Sequence, residues 1–225
     1  RSTLFPYTTL FRSTNRLLKA CAAARPGNFP RLLSRGQCLR PWFEELAEAD
    51  SLPAGPPTWH DSSVLEHTAR IMDQCAGDVT AVWMAFCHDL GKTATPRAEL
   101  PHHHGHEKRG ESLAETLALR LRLSGRLRTA GRWAARRHMN GARYAELRNS
   151  TLARMLLDLD KAGLTEPFFR MVEADSGEKL LDRARCDLTL LTAVSLPEKY
   201  RNLGPKSAEI LLQLRCEALA RHREK

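Results

Sequence analysis

The chain has 225 residues, 42% of them hydrophobic, and a formal charge of +9 from 35 Lys and Arg against 26 Asp and Glu. That length suits one packed core with a small appendage. No apolar run approaches the roughly 18 residues of a membrane span, since the longest, Val79 to Cys87, stops at His88-Asp89. The positive excess suits an anionic partner such as RNA or nucleotides. The six cysteines form no Cys-x-x-Cys pair and read as buried reduced thiols of a cytoplasmic protein.

Residues 1–13, RSTLFPYTTLFRS, repeat Thr-Leu-Phe and lack the helical pattern of the rest. They resemble the translation of a sequencing adapter, so the native chain is expected to enter near Thr14. From residue 15 the pattern is helical almost throughout. Residues 29–49 carry Phe29, Leu32, Leu33, Trp42, Phe43 and Leu46 at three- and four-residue steps, and Ser51 to Pro57 reads as a rigid linker or boundary. A helix is expected from Ser62, as N-cap, to Cys75, with Leu65, Ala69, Met72 and Cys75 inward. The next, Val79 to Leu90, is apolar nearly all round and therefore buried, with Gly91 as its C-cap. A helix from about Glu107 to Leu123 follows, striped by Leu113, Leu117 and Leu121. Further helices are expected near 126–138, 150–162 (capped by Asn149 or Ser150), 166–175, 179–193 and 205–222, the last opened by Pro205. No run alternates with period two, so the expected class is all-α.

Two stretches carry chemistry. Pro101-His102-His103-His104-Gly105-His106-Glu107 packs four imidazoles into five positions, and His88-Asp89-Leu90-Gly91-Lys92 closes the buried helix. Successive helical residues diverge by about 100°, so His88 and Asp89 reach one ion only where the helix ends. His67 lies one helix earlier on an inward face, and the short Ala76-Gly77-Asp78 turn would bring it back to His88. Downstream, His138 is the interior-looking histidine, while Asp158, Asp160 and Asp175 are carboxylates able to complete a shell. Taken singly, each reads as an ordinary core or solvated residue. As a set they suit a catalytic divalent ion.

The pattern His67…His88-Asp89…Asp resembles the HD superfamily of metal-dependent phosphohydrolases. More closely, HDLGK, then TP, then PHHHGHExxG resembles the HD region of bacterial multifunctional CCA-adding tRNA nucleotidyltransferases. Arg25-Pro-Gly-Asn-Phe-Pro-Arg-Leu-Leu before it, and Gly204-Pro-Lys-Ser-Ala-Glu-Ile-Leu-Leu after it, extend the likeness over roughly residues 15–223. The resemblance implies an all-helical HD bundle at 58–176, a helical connecting segment at 14–57 and a C-terminal helical extension at 177–225. It implies His67, His88, Asp89 and Asp158 (alternatives Asp160 and Asp175) as metal ligands for Mg, Ni, Mn or Co. By that resemblance His104, His106 and His138 become catalytic groups. Lys92, just beyond the helix end, is expected either to join them by offsetting phosphate charge or to stand as an exposed cation favoured by the helix dipole. The turn at Gly105 is expected to aim His104 and His106 at the ion and leave His102 and His103 freer. The implied chemistry is hydrolysis of 2′,3′-cyclic phosphates or nucleotide monoesters in tRNA 3′-end maintenance.

Two departures stand against the family pattern. Residues 1–60 hold no Gly-Gly turn and a single aspartate, Asp50, so the N-terminal nucleotidyltransferase domain is expected to be missing and CCA addition is not expected. Asp175-Ser176-Gly177-Glu178 also stands where the family tends to be basic. The alternatives are a catalytically inert tRNA-binding body of the same protein, or a stand-alone HD nucleotide phosphohydrolase.

Overall fold

The computed structural model describes residues 7–58 and 61–223, with side chains from Thr14 onward. Residues 1–6, part of the segment expected to be foreign, lie outside the described residues, and α1 runs Tyr7–Cys21. The described chain is helical, without a named strand, so the all-α expectation holds. It divides into two compact units, one through Met139 and one from Asn140 onward. The boundaries expected at residues 57 and 176 do not coincide with this division.

The first unit contains α1, α2 (Asn28–Arg35), α3 (Val64–Gln74), α4 (Val79–Cys87), α5 (His106–Arg120) and α6, which spans Gly125–Ala142 and so reaches past Met139. Helix α3 starts one residue later than expected. Ser63, not Ser62, is its N-cap and accepts a bond from Glu66 N at 3.2 Å. Arg31 of α2 then grips α3, donating to Glu66 (2.7 and 2.9 Å) and Asp73 (2.7 Å). Asp78 caps α4 by accepting from Thr80 N and Ala81 N.

Helix α4 carries no charged residue, and Ala81 to Cys87 are all buried. Met84 and Phe86 in that run contribute about 1.5–3 kcal/mol each by leaving water. Phe86 stacks on Trp83 at 5.5 Å between centroids and meets Phe43 edge-on at 6.0 Å. Burial pushes the Cys21 thiol up to about 12 and raises Cys87 in the same direction.

Residues 29–49 are less helical than their spacing implies. Only α2 and a 3-10 turn at Glu44–Leu46 form, the turn being tied to α5 by Arg120 on Glu45. Residues 51–57 are no bare linker. Val64 N donates to Leu52 O and Ala54 N to Ser62 O, pinning 52–54 antiparallel to 62–64, and Leu52 and Ala54 are buried.

The second unit contains α7 (Asn149–Lys161), α8 (Thr165–Ser176), α9 (Leu181–Ala193) and α10 (Pro205–Arg223). Its core includes Leu156, Phe168, Phe169 and Val172. Tyr144 OH donates to buried Asp187 at 2.7 Å, and burial together with that bond pushes the phenol upward. Neither Asn149 nor Ser150 caps α7. Arg148 stands at that position, and the Asn149 side chain instead accepts from Arg223 at 2.9 Å.

Candidate metal centre

Three features of the first unit aim histidines at one carboxylate. On α3, His67 sits on the buried face between Leu65 and Ala69. At the end of α4 the helix stops at Cys87, and Asp89 takes φ −107° and ψ 10°, which swings its carboxylate off the helical progression. A 3-10 turn, Leu90–Ala94, follows. Gly91 therefore does not cap α4 as expected. It is a close-approach residue: a Cβ there would run into the His106 carbonyl and lie 2.6 Å from Gly110 N. Without side chains between them, the turn and α5 touch backbone to backbone, and His106 arrives beside Asp89.

The side chains form two triads sharing Asp89: His67, His88 and Asp89, and Asp89, His106 and His138, with every residue buried. In the first, His88 Nε2 lies 3.3 Å from His67 Nε2 and 3.2 Å from Asp89 Oδ2, and His67 Nε2 is 3.5 Å from that oxygen. In the second, His106 Nε2 and His138 Nε2 are 3.1 Å apart, each 3.6 Å from Asp89 Oδ1. Donors held about 2.0–2.2 Å from one ion stand roughly 3.0 Å apart at right angles and roughly 3.4 Å apart at tetrahedral angles. The observed edges fall near that range.

Hydrogen bonding selects the same tautomer at three of the four rings. His88 Nδ1–H donates to Ala85 O (2.7 Å), His106 Nδ1–H to His103 O (2.8 Å) and His138 Nδ1–H to Ala134 O (3.0 Å). Each Nε2 thus turns a lone pair inward, as metal-ligating imidazoles do. At His67, Arg70 Nη2 approaches Nδ1 at 3.4 Å, a long contact. Asp89 Oδ1 is buried with no hydrogen-bond partner. A carboxylate oxygen left so, facing two Nε2 lone pairs, is costly unless a cation joins them. The residues therefore fit a divalent ion.

Burial opposes ionisation of Asp89. Lys92, with His88 and His138, outweighs it and holds the carboxyl well below the usual carboxylate range. Lys92 is not the exposed cation of a helix end. It is buried, with Nζ donating to Ala54 O at 2.7 Å and pairing with Asp89 Oδ2 at 2.8 Å. The segment read as a linker thus supplies one wall of the site.

The histidine run is used differently from the expectation. His106, the first residue of α5, joins the centre, and Gly105 makes the entering turn at φ 69°. His104 does not join it: it is exposed, its ring stacked on that of His102 with centroids 5.8 Å apart. His103 is the buried neighbour. Arg109 donates to Thr95 Oγ1 (3.1 Å), so the Thr95 hydroxyl donates to His103 Nδ1 (2.9 Å) and His103 Nε2–H donates to Pro53 O (2.8 Å). The reversal follows from the turn at Gly105, which points position 104 outward; nothing in a run of three identical residues marks which one enters. Asp158 and Asp160 are exposed on α7 and Asp175 is half-buried on α8, and neither triad includes any of them.

Residues 63–166 match the family model described as HD domain. Over that stretch the chain is similar to HD domains. HD domains bind divalent metals, in keeping with the shared-carboxylate triads. The chain is also 35% identical over 171 residues to a multifunctional CCA protein of Alkalilimnicola ehrlichii, covering 73% of this chain and 41% of that one. It is 31% identical over 225 residues to one of Xanthomonas axonopodis pv. citri, covering 91% and 54%. A third, of Thioalkalivibrio sulfidiphilus, is 34% identical over 166 residues, covering 70% and 40%. The chain thus spans about half or less of the length of these curated relatives. The resemblance read from HDLGK and HHGH, to the HD-bearing portion of multifunctional CCA proteins, is upheld. Among the described residues no helix is long and apolar enough to cross a membrane.

Proposed function

We propose that the HD domain is a metal-dependent phosphoric ester hydrolase acting on 2′,3′-cyclic phosphates or nucleotide monoesters at an RNA 3′ end, with tRNA as the RNA. The observation that carries this reading is the buried, unpartnered Asp89 Oδ1 between His106 and His138, with His67 and His88 across the same carboxylate. The likeness to proteins named for CCA supports tRNA.

His67, His88 and Asp89 would hold one divalent ion, and Asp89, His106 and His138 a second. Such an ion polarises a phosphoryl oxygen and lowers the pKa of a bound water toward neutrality. The chain's own residues prepare for this. Backbone carbonyls keep three Nε2 atoms inward, Lys92 keeps Asp89 ionised, and the buried walls limit bulk water. The free thiols, three of them buried, suit the reducing cytoplasm in which we place the protein.

The test is hydrolysis of 2′,3′-cyclic AMP by protein stripped with EDTA and reloaded with Mg, Mn, Co or Ni. Activity should return with metal, and His106→Ala or Asp89→Asn should lower it by roughly 10²-fold or more. His104→Ala should leave it near wild type. A wild-type protein shown by elemental analysis to hold metal, yet hydrolysing neither cyclic phosphates nor monoesters, refutes the hydrolase reading.

A further inference from the structure

The centre uses one face of α6. The opposite face holds a second constellation that the hydrolytic chemistry leaves unexplained. Thr129, Arg132, Trp133, Arg136 and Arg137 follow at i, i+3, i+4, i+7 and i+8, forming one stripe, while Ala130, Ala134, Ala135 and His138 form the buried stripe. With Glu111 of α5, the outer stripe lines a cavity of about 250 Å³.

Three guanidiniums face this cavity against one carboxylate. Glu111 holds two of them in place, Arg132 Nη2 at 3.0 Å and Arg136 Nε at 3.4 Å. Arg132 Nε is buried without a hydrogen-bond partner, 3.4 Å from Glu115 Oε2. Arg137 has no carboxylate partner among the described residues. Its guanidinium lies over the Trp133 ring, 5.8 Å from the centroid. Trp133 itself is half-buried, an indole at a cavity wall rather than in the core. A tryptophan packed only for stability resembles Trp83, which is buried with its Nε1–H donating to Leu127 O.

We infer that this cavity is a nucleotide subsite, in which a base stacks on Trp133 and the adjoining phosphate meets Arg136 and Arg137. Aromatic rings stack on any base, and guanidiniums pair with phosphate oxygens in a planar fork. The subsite lies a helix width, about 10–12 Å, from the face that carries His138. It therefore takes a nucleotide other than the one whose phosphate is cleaved, and the ligand is a strand. The choice of RNA rests on the tRNA reading above; the subsite itself does not.

Binding of a short fluorescein-labelled oligoadenylate, followed by anisotropy in EDTA, tests this without any hydrolysis, so failure of the hydrolase reading leaves the result intact. Trp133→Ala should weaken binding roughly 5- to 150-fold, the range for loss of one aromatic–base stack, and Trp133→Phe should stay closer to wild type. Arg137→Gln, at a half-buried position whose guanidinium lies over Trp133, guards against a folding artefact. It should weaken binding and reduce the salt slope by about 0.7. Wild-type affinity in both Trp133→Ala and Arg137→Gln overturns the subsite. AMP that binds as tightly as the strand overturns its assignment to RNA.

Discussion

His103→Ala offers a sharp check on how the histidine run is used. The wild-type ring is buried and spans two anchors, accepting from the Thr95 hydroxyl at 2.9 Å and donating to Pro53 O at 2.8 Å. Its removal loses two bonds of about 1 kcal/mol each and leaves the Pro53 carbonyl without its donor, for a total of about 3 kcal/mol. In a unit of this size that lowers the melting temperature by roughly 10 °C. His104→Ala, on an exposed ring, should fall within about 0.5 kcal/mol of wild type. Thermal and urea unfolding of metal-free protein would measure both.

The pH dependence adds a second handle on the same residue. Burial holds the His103 pKa below the ordinary histidine value of about 6.5. The unfolded chain then takes up the proton first, so this contribution is fully present above about 6.5 and is lost as pH falls toward the folded pKa. His103→Gln should remove that slope. A His103→Ala protein as stable as His104→Ala, with an unchanged acid limb, would refute the anchoring role.

Lys92→Met should destabilise the metal-free protein by about 3–5 kcal/mol in urea, because it leaves the buried Asp89 carboxylate without its cation. Added divalent metal should then stabilise this variant more than wild type, and equal metal-free stability would contradict the buried pair. Gly91→Ala should cost about 1–3 kcal/mol, since the new Cβ meets backbone atoms of His106 and Gly110 that cannot rotate away. It should also weaken metal binding through displacement of His106; retention of both stability and metal content by calorimetry and elemental analysis would sink the close-approach account.

Much of this protein was legible from local pattern. The period of Leu65, Ala69 and Met72, and the unbroken apolar run of α4, specified helices because burial of a stripe depends on near neighbours in sequence. His67, His88, Asp89, His106 and His138 were all recognisable from residue type and position. The roles within the loop were not legible, because His103 and His104 differ only in the direction set by the left-handed Gly105 that follows. Lys92 looked like a helix-end cation until residues 52–54 folded beneath it. For the aspartates on α7 and α8 sequence spacing did not report exposure: Asp158 and Asp160 are exposed and Asp175 is half-buried.

By itself the sequence determined the helical class, the HD motif and the histidines available to it, since these depend on side-chain type and short-range periodicity. The tertiary structure alone decided that Asp89 is shared by two triads, that Gly91 serves contact with α5 rather than a cap, and that Trp133, on the outer face of the helix that carries His138, lines a cavity. Those outcomes arise from packing between elements distant in the chain, where a few ångströms of approach separate a ligand from a surface residue.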